Sequence, residues 1–457
     1  MTATVTVIGA GITGLAAARH LADLTTGREV NIEVREASDS LGGRIRTSAF
    51  AGRSAVDEGP DAFLVRMPAA IQLARDVGLD QRIVAPSDAR AAIWHHGLRP
   101  IPTGVLLGVP TSLTAIARSG LLSPLGMARA GLDLIRPSTS DDHDSIGRWV
   151  RSRFGNEVHD RLVDALVGSI YGADTDEFSI AAVPQLAALA ARGRSALLSG
   201  RAIARSTPAT TGPIFGAPAG GLSELVSAVA DDLMVRHGDR VTITTSAPVH
   251  QIAPDRHQWR VDDDLVDAVI VAVPAEAAAG MIGGQAASGL GALDTCDVAM
   301  VTMAVSSDEW PDHARGRSGY LVPKSVQKRV TAVSFASQKW AHLADGHTEL
   351  LRVSLGRDGL PVLHLDDDEL IASATTEVST HLGVDIAPTQ CRVTRWPGAF
   401  TQYRPHHHQH VAHLDDVLPR GLTLAGASYR GIGIPACVSD GQRAAEITAL
   451  HLEESLW

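Results

Sequence analysis

A glycine-rich turn near the start of the chain constrains its fold more than any other feature. Gly9-Ala10-Gly11-Ile12-Thr13-Gly14 follows five β-prone residues, Thr4 to Ile8, and precedes helical apolar spacing over residues 14 to 24. A second β-prone run, Val30 to Glu36, completes a βαβ unit. In that setting Gly9 permits the tight turn, Gly11 lets the backbone approach a diphosphate, and Gly14 allows the helix to pack closely on the strand. The amino end of the helix adds free N–H groups and a partial positive charge. Glu36 stands 22 residues after Gly14. There a carboxylate accepts hydrogen bonds from both hydroxyls of an adenosine ribose and disfavours a 2′-phosphate. Each signal alone is weak, an ordinary turn in a chain with 43 glycines or a solvated glutamate, but the pair is much stronger.

Just beyond Glu36 and Ala37 comes Leu41-Gly42-Gly43-Arg44. Adjacent glycines let a loop lie flat against a cofactor, and Arg44 is placed to pair with a phosphate or a nearby carboxylate. A nicotinamide site does not need this second element. With it, VIGAGITGLAAARHL and VREASDSLGGRIRT resemble the flavin-containing oxidases of the amine oxidase and porphyrinogen oxidase superfamily. The resemblance implies FAD, held by residues 9 to 14, Glu36, Ala37, Gly42, Gly43 and Arg44.

Asp57-Glu58-Gly59-Pro60-Asp61-Ala62-Phe63-Leu64 is similar to the GPD-x-F segment of bacterial porphyrinogen oxidases. That likeness implies that Gly59, Pro60, Asp61 and Ala62 pass beside the flavin; read alone, the segment is a proline turn. Near the C-terminus, LAGASYRGIGIPAC (Leu424 to Cys437) is similar to the family's AGAS-Y-x-G-x-G-I-P-D-C, implying that Ile432, Gly433 and Ile434 frame the flavin. Ala436 replaces the usual Asp, which puts a helix N-cap in question. Apart from the family, a helix beginning near Ala436 would aim its positive end at whatever the preceding loop covers. The resemblance also sets the Val249 backbone at the adenine and Trp396 near the flavin, although both are equally readable as core. Arg395-Trp396, Gln402-Tyr403 and His407 are similar to the family's RW, QY and GH stretch, with His406 where Gly is usual.

The remaining composition limits what else the chain can do. At 457 residues it is long enough for two or three domains with a large core. A net charge of -11 disfavours nucleic acid and strongly anionic membrane surfaces as partners. Cys296, Cys391 and Cys437 are odd in number and widely spaced, which offers neither a disulfide framework nor a metal site and suits a cytoplasmic setting. The longest weakly charged stretch, residues 101 to 135, is interrupted by prolines and arginines, so a membrane span is not expected, while peripheral attachment to the inner face stays open. His406, His407, His408 and His410 invite a metal reading, but no Cys or carboxylate completes a site; a solvated loop is expected.

The expected architecture is α/β: an FAD-binding Rossmann-type domain of the flavin amine oxidase and porphyrinogen oxidase type, a sheet-based substrate domain and a helical insertion. The FAD-binding domain is assigned residues 1–67, 207–275 and 395–457, the mostly helical insertion 68–206, and the antiparallel substrate domain 276–394. Helices are expected at Ile71 to Val77, Ser145 to Arg153, Glu157 to Ser169 and Val183 to Leu198. The likeness extends through Arg90 to Pro102, a strand and turn that border the family's substrate cavity. It implies a porphyrinogen substrate, coproporphyrinogen III above protoporphyrinogen IX or an amine, with oxygen as acceptor and peroxide released. Arg90, Arg99 and Arg404 are candidates for the substrate carboxylates, each also readable as a solvated charge. No general base is assigned, because the cofactor carries the difficult chemistry.

Overall fold

A computed structural model describes residues 2–136, 144–193, 195–206 and 212–456. The chain divides into two compact units, one formed by Met1–Ala85, Pro213–Asp294 and His408–Trp457, the other by Pro86–Gly212 and Thr295–His407.

The first unit is built on a five-stranded parallel sheet in the order Val241–Thr244, Val30–Arg35, Ala3–Ile8, Ala268–Val271, Leu422–Leu424. Ala3–Ile8 and Ala268–Val271 are buried along almost their whole length, as central parallel strands covered on both faces must be. In a parallel sheet every strand's carboxyl end lies on one edge. Gly9, Glu36, Ala272 and Ala425 therefore leave the sheet together, at the edge where open α/β sheets bind their ligands. The helix Ile12–Leu24 packs against both Ser223–His237 and the C-terminal helix Ile434–Leu456.

The second unit contains a seven-stranded sheet in the order Gln390–Thr401, Thr295–Ser306, Thr348–Leu355, Val330–Phe335, Gly319–Leu321, Ala91–Trp94, Leu98–Pro100. Neighbours are antiparallel except Gly319–Leu321 with Ala91–Trp94. The helix Asp367–Leu382 opens on a capping box of Asp366 and Glu369 and lays Leu370, Ala374, Val378 and Leu382 on the sheet's apolar face. Residues 159–168, inside a segment expected as one helix, are wound as a π-helix. Its buried Asp164 accepts two hydrogen bonds from the Arg357 guanidinium, at 2.7 and 3.0 Å.

Several expectations need correction. The boundary expected after residue 67 moves to 85, because the helix Pro68–Asp76 packs on the C-terminal helix and Ile83–Val84 pairs with Ala217 and Pro218. Residues 86–212 are not purely a helical insertion, since Ala91–Trp94 and Leu98–Pro100 join the second sheet. Residues 276–294 belong to the first unit; Ala278, Ile282 and Leu290 pack into one core with Val269 and Val271. Gln390–Thr401 is one strand across the expected boundary at 394/395. It passes Pro397 by a shift of register opposite Cys296 and Val298, with Gly398 donating its N–H to Asp297. The helix expected over Val183 to Leu198 is two helices, Pro184–Ala190 and Ala196–Ser206, with Gly193 between them at φ 60. The histidine-rich loop is largely the helix His407–Val417, which buries Val411 and Leu414 on one side. Those two apolar residues, three apart, were masked by the run of imidazoles.

Candidate functional site

The site is built where the parallel sheet's carboxyl edge meets the helix Ile12–Leu24. Gly9 turns the chain at φ 98, with an added Cβ 2.8 Å from the Ala272 oxygen. At Gly14 a Cβ would stand 1.9 Å from the Gly9 carbonyl oxygen, so the helix seats on the loop only because that atom is missing. At Gly11, by contrast, the nearest atom is the Gly42 oxygen at 3.9 Å, which leaves the backbone approachable. No side chain caps the helix at Gly11 and no acidic residue lies in its first turn, so its positive end is not neutralised from within. Ile12 and Thr13 are buried in that turn.

Glu36 lies one residue past the second strand. Its Oε2 accepts the Ala10 N–H at 2.8 Å, and its Oε1 accepts the Ser38 N–H and hydroxyl at 2.9 and 2.8 Å. The carboxylate is thus fixed beside the glycine-rich loop and keeps lone pairs for further donors. Ala37 follows it, exposed. Gly42 donates its N–H to the Ala10 oxygen at 2.9 Å and bridges to Gly11, which sets the second glycine pair on the first loop, with Gly43 exposed. Burial raises the Cys437 thiol above its ordinary range, while the Thr13 hydroxyl and the Arg44 charge pull it the other way. Arg44 and Thr13 thus lie close to the start of the C-terminal helix.

Gly59, Asp61 and Ala62 are half-buried and Pro60 is exposed, in the loop that enters the short strand Phe63–Leu64. Buried Glu58 anchors that loop by accepting from Arg46 Nε and the Ser48 hydroxyl, both at 2.7 Å. Val249 is 5 % exposed and packs with Ile8 and Val271, so only its backbone is left to meet a ligand. Trp396 stands in the second unit, opposite Val298 on the neighbouring strand.

The two ends of the chain meet at Thr13. A Cβ on Gly441 would lie 2.3 Å from the Thr13 oxygen and one on Gly426 would lie 3.6 Å from its Oγ1, so the C-terminal strand, loop and helix close against the N-terminal helix. Ile432 is half-buried, Gly433 is exposed with no atom within 4 Å of its Cβ position, and buried Ile434 begins the helix. Cys437 donates its N–H to the Gly433 oxygen at 3.0 Å. Ala436 therefore lies inside the first turn and not at the cap, so its lack of a side-chain acceptor costs the helix no N-cap. Two open glycine loops, two helix amino ends and a preset carboxylate fit an adenine dinucleotide with a second ring system.

Asp57 and Asp440 went unsingled by the sequence reading. Asp57 Oδ1 accepts the Leu222 N–H at 2.9 Å, and Asp440 Oδ2 accepts the Gly426 N–H at 2.7 Å. The only sequence signal for Asp440 was an Arg three residues on, which also describes a solvated helix pair. Of the candidate substrate arginines, Arg90 and Arg99 are exposed, and Arg404 is paired with Asp358 at 2.6 and 3.1 Å. The histidines diverge: His406 holds φ 66 and pairs with Asp144, His407 stacks on Tyr403, and His410 bonds the Gly289 oxygen. A left-handed φ at position 406 accounts for a family preference for Gly there. Among the described residues, no helix is long and apolar enough to cross a membrane.

The sequence model of the flavin-containing amine oxidoreductases matches residues 12–448. The coproporphyrinogen III oxidase of Mycobacterium leprae is 33% identical, over 96% of this chain and 97% of its own length. That of Bacillus subtilis is 30% identical, over 98% of each. Among solved structures, an Exiguobacterium protein described as a protoporphyrinogen oxidase superposes with a TM-score of 0.86 at 26% identity, covering 99% of both chains.

Proposed function

Because the chain belongs to the flavin-containing amine oxidoreductase family and is an FAD-dependent oxidoreductase, we propose that it oxidises coproporphyrinogen III to coproporphyrin III. The macrocycle loses six electrons and six protons, and three molecules of oxygen leave as three of hydrogen peroxide. The observation that carries this reading is identity of 30% or more with bacterial coproporphyrinogen III oxidases along nearly the whole chain.

When bound, FAD supplies the hydride-accepting ring and its re-oxidation by oxygen. The chain's own residues supply placement and charge. Residues 9–14, Gly42, Gly43 and Arg44 would hold the diphosphate, Glu36 with Ala37 the ribose, and the Val249 backbone the adenine. Gly59 to Ala62 and Ile432 to Ile434 would frame the ring. The helix starting at Ile434 has no carboxylate before Asp440, so its positive end is available to the negative charge of a reduced flavin.

Supplying the purified protein under air with coproporphyrinogen III, protoporphyrinogen IX or an amine tests the reading by porphyrin fluorescence and peroxide. Faster turnover of the copro substrate is expected; equal or preferential turnover of protoporphyrinogen, or peroxide with amines alone, overturns it. Peripheral contact with the inner membrane face, in a cytoplasmic setting, belongs to the same reading. It is supported by Leu125 and Ile135, 83% and 79% exposed beside the exposed Leu132 and Leu134. Replacing Leu125 and Ile135 by Ser should then abolish co-sedimentation with phospholipid vesicles, and parent protein that stays in the supernatant would refute the contact.

A further inference from the structure

The loop that leads from the last strand to the C-terminal helix, residues 426–433, is held at its entrance by a group from within that helix. Gly426 donates its N–H to Asp440 Oδ2 at 2.7 Å. Oδ1 of the same carboxylate accepts from Arg443 Nε at 2.6 Å and lies 3.6 Å from an Arg430 nitrogen. Both guanidiniums also donate to the Leu424 oxygen, at 2.7 Å from Arg443 and 3.3 Å from Arg430, and Arg430 pairs with Asp415. Asp440 is 5 % exposed. A solvated Asp and Arg three apart would only pair along the helix surface. Here the carboxylate is buried, and one of its oxygens serves a backbone amide outside the helix.

The far end of the loop is fixed by the helix itself, through the Cys437 N–H and the Gly433 oxygen. Midway, the Ser428 hydroxyl accepts the Ala275 N–H at 3.1 Å. A single carboxylate thus sits on the helix into which the loop runs and grips the residue with which the loop begins. Gly426 in turn faces Thr13 of the glycine-rich turn. We propose that Asp440 is a positioning residue that sets the 426–433 loop against the N-terminal glycine loop and thereby fixes the shape of the flavin site. Loss of its bonds leaves the buried Gly426 amide without its acceptor and Arg443 and Arg430 with the Leu424 oxygen and, for Arg430, Asp415 alone, and the loop relaxes away from the cofactor.

The test uses holoprotein and measures FAD dissociation and the visible absorption and circular dichroism of bound flavin. Asp440→Ala should raise the FAD dissociation constant about tenfold or more and alter the flavin spectrum. Asp440→Asn should fall between it and the parent, because one amide oxygen accepts from one side while the amino group confronts donors on the other. Asp232→Ala serves as the control. It removes an ion pair to Arg19 at 2.7 Å in the same unit without touching the loop, and should lower the melting temperature while leaving affinity and spectrum unchanged. Parental affinity and spectrum in both Asp440 variants would overturn the proposal, as would an equal loss of FAD in the control. If Asp440→Ala does not fold, Asp440→Asn decides by the same criteria. No porphyrinogen enters, so the result is independent of the substrate reading.

Discussion

The Glu36 carboxylate holds the Ala10 amide and the Ser38 hydroxyl while keeping acceptor capacity for a ribose. Glu36→Gln sets an amide NH2 against one of these donors. We expect it to weaken FAD binding about tenfold with little loss of folded protein, read as flavin lost on ultrafiltration and an unchanged far-ultraviolet spectrum. Unchanged flavin retention would remove Glu36 from the ribose site. Residues of this kind were legible in the sequence because spacing alone places them: a glycine turn between strand and helix admits few geometries. Asp440 and Glu58 were not, because their meaning depends on burial and on partners that only the folded chain brings near. Ala436 misled for a related reason, since a shift of two residues in the helix start turned an expected cap into an interior position.

Among elements, the first two strands of the parallel sheet were recovered to within one residue, since short runs rich in β-branched residues leave little ambiguity. Helices of the second unit were less legible. The π-helical winding over residues 159–168 depends on tertiary anchoring, with buried Asp164 gripped by Arg357 from beyond the strand Thr348–Leu355. Burial would raise the Asp164 carboxyl, yet Arg357 outweighs it and holds the group below its ordinary range. Arg357→Ala leaves that carboxylate buried without its ion-pair partner, held by the Thr175 hydroxyl and the Lys324 N–H alone. A loss of about 3–5 kcal/mol in urea unfolding is expected, and Asp164→Asn in the same background should recover part of it. Equal stability of Arg357→Ala and the parent would show that the π-helix needs no such anchor.

For the whole molecule, the combined titrations predict acid lability. Burial holds the His381 imidazole down at about 4, against Tyr320 and the ring of Trp94. Its contribution is present above the ordinary histidine value near 6.5 and is lost as pH falls toward 4, a change of about 3 kcal/mol. Asp23, Glu157, Asp164 and Asp174 are all held below their ordinary values, burial being outweighed by bonds and ion pairs, so their share is lost at still lower pH. Glu377, raised by burial, has the opposite sign. The melting temperature should therefore fall between pH 6.5 and 4, and His381→Asn should flatten that slope; an unchanged slope would assign the lability elsewhere.

The division into two units was only partly legible, because helix Pro68–Asp76 and strand Gln390–Thr401 are assigned by partners far away in sequence. Ala3–Ile8 lies in the middle of the parallel sheet, and Leu422–Leu424 forms its edge before the helix that closes on Thr13. The glycine loop and the segment that closes on it thus come from opposite ends of the strand sequence but from one sheet, so a backbone cut anywhere between them leaves their juxtaposition to noncovalent packing alone.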